Sequence, residues 1–194
     1  QKEYQRRLEQ LSHYDGLTGL ANKTLLKDRI EQGVIQCRGS GRAMALILLD
    51  LDGFRMVHQS LALDDSDGVL QAVGRRIHAL AGPIDTVARL EADEFAWLMR
   101  NAVDENRVAH RVQELMEAVA QPLSVGSETL TLTASAGIGL YPRDGGDAEQ
   151  LMANAEAALF QAMRQRNGFR FYTPAMNAQT RERLALELDL KRAW

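Results

Sequence analysis

Ala43-Met44-Ala45-Leu46-Ile47-Leu48-Leu49-Asp50-Leu51-Asp52 is the stretch that decides the fold. An unbroken apolar run of this length, bounded by Gly41 on one side and aspartates on the other, reads as a central strand covered on both faces. A surface strand would alternate polar and apolar residues; this one does not. The chain around it supplies the cover. Lys23 to about Gly39 reads as a helix, with Asn22 placed to cap its first turn. Leu70, Val73, Ile77 and Leu80 lie at helical spacing, and Gly82-Pro83 ends that helix.

Further along, Thr86–Leu90 and Phe95–Met99 read as two strands joined by the tight turn Glu91-Ala92-Asp93-Glu94. Val108, Val112, Leu115 and Val119 mark a helix that stops before Pro122. Leu123–Val125 and Leu130–Ile138 read as a hairpin-like pair around Gly126. A helix over about Ala148–Gln165, a short strand Phe169–Tyr172, and a last helix after Pro174 with Leu184, Leu186, Leu188 and Leu190 complete the chain. Before all of these, Tyr4, Leu8 and Leu11 put an apolar stripe on an N-terminal helix, suited to a coiled coil or to docking. Helices and strands alternate, but hairpins interrupt the alternation. The fold class expected is α/β (α+β), a central mixed sheet flanked by helices.

Bulk properties narrow the function. The chain has 194 residues, 45% hydrophobic and 25% charged, the balance of a globular domain. A formal net charge of -3 gives no general attraction to nucleic acid, so a phosphate ligand needs a local site. No apolar run approaches the ~20 residues of a membrane span, and no membrane contact is expected. The chain opens at Gln1 without a signal-peptide core and reads as a fragment of a larger protein. The single cysteine, Cys37, excludes an internal disulfide and suits a reducing, cytoplasmic setting.

The candidate chemistry is acidic. Residues two apart on a strand share a face, so Asp50 and Asp52 can project together at the end of the central strand. If the Glu91–Glu94 turn lies beside it, Asp50 and Asp93 make an oxygen-rich pair suited to Mg²⁺, which takes few protein carboxylates and fills its octahedron with water and phosphate. The competing reading of the same residues is a set of solvated turn formers.

A series of motifs in fixed order favours the first reading. Asp15-Gly16-Leu17-Thr18-Gly19-Leu20-Ala21-Asn22 resembles the D-x-L-T-G-L-x-N opening of GGDEF domains, the diguanylate cyclase family. Asp50-Leu51-Asp52-Gly53-Phe54-Arg55 is similar to its D-x-D-x-F-K segment, and Arg89-Leu90-Glu91-Ala92-Asp93-Glu94-Phe95 stands where R-x-G-G-D-E-F belongs. Ser135-Ala136-Gly137-Ile138 resembles the S-x-G-I strand, and Ala158-Leu159-Phe160-Gln161-Ala162 the A-L-Y-x-A helix. The resemblance covers about Ser12 to Tyr172. It implies three parts: a linker helix over 1–12, a GGDEF-like domain over 13–172, and a connector helix over 173–194 leading to an EAL phosphodiesterase domain.

By the same resemblance, Asp50, Asp93 and the Leu51 carbonyl bind metal, Mg²⁺ or Mn²⁺ when GTP is bound. Glu94 takes the second acidic position, as a vestigial catalytic residue. Asp67 and His58 face guanine, the latter replacing asparagine. Phe54, Arg55, Glu91 and Ala92 lie around the phosphates. Departures are concentrated there. Glu91-Ala92 replaces the glycine pair that lets backbone approach phosphate. Met163 replaces a lysine, with Arg164 or Arg166 as substitutes, in a segment one residue short. Gly82-Pro83-Ile84-Asp85 lacks the arginine of the R-x-x-D product site. Phosphoryl transfer depends on positioning and charge, so the expectation is a degenerate, regulatory domain that retains GTP as its one candidate ligand and tunes an attached EAL domain. An active cyclase working as a homodimer and a dimerisation or relay module without nucleotide stand as alternatives. An upstream sensor domain is a further expected partner.

Overall fold

A computed structural model of the chain describes residues 1–3, 12–102 and 104–192. The Tyr4-Leu8-Leu11 stripe lies outside the described residues. The elements are α1 (Lys23–Cys37), β1 (Met44–Leu51), α2 (Phe54–Ser60), α3 (Leu63–Leu80), β2 (Thr86–Arg89), β3 (Glu94–Met99), α4 (Glu105–Val119), β4 (Leu123–Val125), β5 (Glu128–Leu130), β6 (Ala134–Tyr141), α5 (Ala148–Gln165), β7 (Gly168–Phe171) and α6 (Pro174–Arg192).

The apolar run is the middle strand of a five-stranded sheet of order β2-β3-β1-β6-β7. It runs antiparallel to β3 and to β6, while β7 joins β6 in parallel after the α5 crossover. Its period-2 alternation divides the core in two. Ala45, Ile47, Leu49 and Leu51 face one cluster with Val73 and Ile77 of α3 and Val112 and Leu115 of α4. Met44, Leu46 and Leu48 face another with Leu26 and Ile30 of α1 and Leu151 and Ala155 of α5. The result is a mixed sheet between two helical layers, as the doubly apolar strand requires.

Two local features hold the layers at their spacing. Asn22 caps α1, its side-chain oxygen accepting from the Leu25 N–H at 3.0 Å. On the same side of the sheet, α5 lies directly over β6. A Cβ at Gly137 would stand 2.1 Å from the Leu159 backbone nitrogen, so no larger residue fits there.

The stretch read as one strand over Leu130–Ile138 is two. β5 ends at Leu130 and pairs only with β4, as a small separate hairpin turning through Gly126 at φ 59°. β6 starts at Ala134 and belongs to the main sheet. Leu123, Val125 and Leu132 insert into the core beside α3 and α4, and this burial draws the chain away from the sheet before Thr133 returns it. The short α2 was not among the elements read from the sequence. The final helix runs to Arg192 as expected, with Leu186 and Leu190 exposed on it.

Candidate active site

The parity that sorts the core also sorts the carboxylates. Asp50 lies on the face of Met44, Leu46 and Leu48, toward α1 and α5, and its Cα partner across the ladder is Glu94. The next strand out places Ala96 and Leu98 on that same face, so Asp50 and Glu94 stand side by side at the sheet end. Asp93 precedes Glu94 in the β2–β3 turn. The Leu51 N–H donates to the Asp93 carbonyl at 3.4 Å, which sets the turn against the end of β1.

The turn keeps its shape without glycine. Ala92 takes φ 42°, in the left-handed region, and the Glu94 N–H donates to the Glu91 carbonyl at 2.7 Å. That conformation costs an L-residue about 1 kcal/mol. Arg89 offsets the strain: its Nε and Nη2 fork onto the Ala92 carbonyl at 2.9 and 2.7 Å. Its Nη1 meets the Asp15 carboxylate at 3.2 Å, and Asp15 also accepts from the Thr18 N–H and hydroxyl. These contacts lower the Asp15 pKa, even though burial pushes it the other way. The D-x-L-T and R-x-x-x-D segments therefore form one brace under the turn.

The electrostatics are those of crowded acids. Burial, then the neighbouring Asp93, Glu94 and Asp52, push the Asp50 carboxyl up to about 7. Burial raises Asp93, with Arg89 opposing. Glu94 is raised by burial and by Glu156 of α5 and Glu91, while Lys23 of α1 counters in part. Such hard, half-buried oxygens with excess negative charge fit a divalent cation of the Mg²⁺ or Mn²⁺ type. Among the described residues, no three His, Cys, Asp or Glu side chains form a metal cage.

Phe54, Arg55 and His58 lie on α2 and Asp67 on α3, whereas Glu91 and Ala92 lie in the β2–β3 turn. Phe54 is buried in the core and stacks on His58, with ring centroids 6.1 Å apart. Its ring is part of the core, 5% exposed. Arg55 and His58 are exposed, and His58 Nδ1 lies 2.9 Å from the Ser66 hydroxyl. That contact places His58 on the α3 turn that carries Asp67, itself half-exposed. Glu91 and Ala92 are exposed at the tip of their turn.

Asp52 departs from the expected pairing with Asp50. Its carboxylate is taken up by Thr133, Ser135 and the Asn167 N–H. Where the resemblance led to an expected phosphate contact, α5 ends at Gln165, and Arg166 and Asn167 both take positive φ, at 58° and 45°. The shortened segment therefore turns on two non-glycine residues. Met163 is exposed on α5, 41% accessible, and offers no charge where lysine was expected. At the expected product-site position, Asp85 is occupied by the Gly82 and Arg100 N–H groups and the Trp97 indole. The sequence reading missed the Asp15–Arg89–Ala92 brace, the Asp52 contacts, and the Glu156 and Lys23 charges near Glu94. Both halves of the brace were visible as motifs, but nothing local joins residues so far apart.

The family model of the diguanylate cyclase GGDEF domain matches residues 12–168, and the chain belongs to this family. It is similar to the bifunctional diguanylate cyclase/cyclic di-GMP phosphodiesterase MucR of Pseudomonas aeruginosa, 39% identical over 97% of this chain and 27% of that protein. It is also similar to the cyclic di-GMP phosphodiesterase NbdA of the same organism, 36% identical over 96% of this chain and 24% of that protein. A solved sensory box/GGDEF family protein from Caulobacter crescentus is 34% identical, with a TM-score of 0.74 over 79% of this chain and 99% of that one. The chain spans about a quarter of the length of the two curated relatives. No described helix is long and apolar enough to cross a membrane.

Proposed function

We infer that this GGDEF domain is a catalytically degenerate regulatory module of cyclic di-GMP signalling, which binds GTP with Mg²⁺ or Mn²⁺ and tunes an EAL phosphodiesterase domain in the same protein. One observation carries the reading: the acidic half of the site is kept while the phosphate half is not. Asp50, opposite Glu94 in the ladder, and Asp93, in the adjoining turn and close enough to raise the Asp50 pKa, remain at the sheet end, but Glu91, Ala92 and Met163 occupy the positions that the family resemblance gives to two glycines and a lysine. Asp50, Asp93 and the Leu51 carbonyl would hold the cation, which would neutralise phosphate charge. Asp67 and His58 would face the base. Glu91 adds a negative charge at the turn and repels a triphosphate. Positioning and charge supply most of the catalysis in phosphoryl transfer, so this combination favours binding over turnover. The relatives are consistent with such a role, since one bears both activities in its name and another only the phosphodiesterase.

Calorimetric titration with GTP tests the binding claim. Weak heat that requires Mg²⁺ and disappears in Asp50→Asn is expected. No heat under any condition would remove the nucleotide and leave a relay module.

A second reading, an active cyclase, draws support from the turn itself. Ala92 reaches φ 42° under the Arg89 fork, so the loop keeps a glycine-like path. Turnover abolished by Asp93→Ala would select it.

A further inference from the structure

Asp52 stands two residues after Asp50, at the end of the central strand, yet it is not free to join the carboxylate pair. Thr133 Oγ1 donates to its Oδ2 at 2.7 Å, and Ser135 Oγ donates to its Oδ1 at 2.7 Å. The Asn167 N–H donates to Oδ2 at 2.8 Å, across 115 residues of chain. The Asp52 N–H in turn donates to the Thr133 carbonyl at 2.9 Å. A carboxylate offers about four acceptor sites, so three are committed to protein donors. Ser135 is fully buried and is the Cα partner of Asp50 on β6. Three segments thus meet at one side chain: the end of β1, the entry to β6, and the positive-φ turn between α5 and β7.

We propose that Asp52 is a positioning residue, which fixes the Asp50–Asp93 pair relative to the α5–β7 turn through its hydrogen bonds and does not ligate the cation. The turn is the part that needs holding. Arg166, at φ 58° and ψ 164°, and Asn167, at φ 45°, both take a positive φ that non-glycine residues rarely adopt. The Asn167 amide bond to Asp52 anchors the second of them. Without it, the turn relaxes toward ordinary φ, and the rim of the site moves away from Asp50. The claim rests on the metal-binding reading of Asp50 and Asp93 for its effect on the cation, and on the hydrogen bonds alone for its effect on the turn.

Asparagine separates the two roles of a carboxylate. In Asp52→Asn the side-chain oxygen can still accept from Thr133 and Asn167, and the amide can donate to the Ser135 hydroxyl. The brace survives and the charge is lost. Asp52→Ala loses both, and Thr133→Val removes one donor without touching the carboxylate. The measurements are Mn²⁺ binding to the full chain, followed by the paramagnetic resonance of free Mn²⁺, and hydrogen exchange at the Asn167 amide. Positioning predicts Mn²⁺ affinity within about threefold of the parent for Asp52→Asn, a loss of about tenfold for Asp52→Ala, and an intermediate loss for Thr133→Val, at ~0.65 kcal/mol per threefold and ~1.4 per tenfold. Asn167 exchange should accelerate in Asp52→Ala and not in Asp52→Asn. If Asp52→Asn loses as much affinity as Asp52→Ala, or Thr133→Val has no effect, Asp52 acts by charge or as a ligand and the proposal is wrong. Should Asp52→Ala fail to fold, the asparagine and valine variants decide. Should the parent itself not bind Mn²⁺, the metal reading of Asp50 and Asp93 fails, and exchange at Asn167 alone judges the brace.

Discussion

Ala92 is where loss of a glycine can be weighed most directly. Its φ of 42° is tolerated because Arg89 holds the Ala92 carbonyl from two nitrogens. Ala92→Gly should therefore raise stability by at most about 1 kcal/mol, since relief of strain is partly offset by chain entropy; urea denaturation measures this. The neighbouring Glu91 acts through charge. Removing it together with the strain, in Glu91→Gly/Ala92→Gly, should tighten Mg-dependent GTP binding by about tenfold, roughly 1.4 kcal/mol of relieved repulsion. Calorimetry would show it, and an unchanged affinity would mean that the turn does not touch phosphate. Asp50 makes a third residue-scale prediction. Its folded pKa of about 7 lies above the ordinary aspartate value, so the folded state binds more protons than the unfolded one between pH ~4 and 7. The stability this contributes is present at low pH and declines as pH rises through that window. Thermal melts in EDTA should show the decline, Asp50→Asn should flatten it, and Mn²⁺ should oppose it near pH 7.

At the scale of elements, the sheet end is built from strand parity and from one close helix. Asp50 and Glu94 share a face because β1 and β3 are in register there, and α5 reaches that face only because β6 carries glycine under it. Gly137→Ala should cost about 3 kcal/mol or more, because the Cβ meets the α5 backbone, which cannot rotate aside. Chemical denaturation tests this, and a loss below 1 kcal/mol would show that α5 is free to lift. The elements themselves were largely legible in the sequence. The β1 run, the Asn22 cap and the extent of α5 over Ala148–Gln165 are set by local periodicity and capping, which need no knowledge of the rest of the chain. α2 was not legible, since seven residues give too few repeats to establish a period. The split of Leu130–Ile138 was not legible either. It arises because Leu132 is buried beside α3 and α4, a tertiary preference invisible in a strand-like run.

For the molecule as a whole, motif order made the family and the acidic pair legible, while the connections between motifs were not. Asp15 meets Arg89 across 74 residues and Asp52 meets Asn167 across 115, and only the folded sheet brings them together. Those long-range contacts hold the Glu91–Glu94 turn and the end of β1 in place. An acidic sheet end beside Glu91, Ala92 and Met163 is the physical basis for our proposal that this domain is a regulator. The most direct test is to incubate the purified chain with GTP and Mn²⁺ and to separate the products by anion-exchange chromatography. The account predicts that GTP is recovered unchanged and that no cyclic di-GMP forms. Formation of cyclic di-GMP by the parent protein, and its loss in Asp93→Ala, would contradict it.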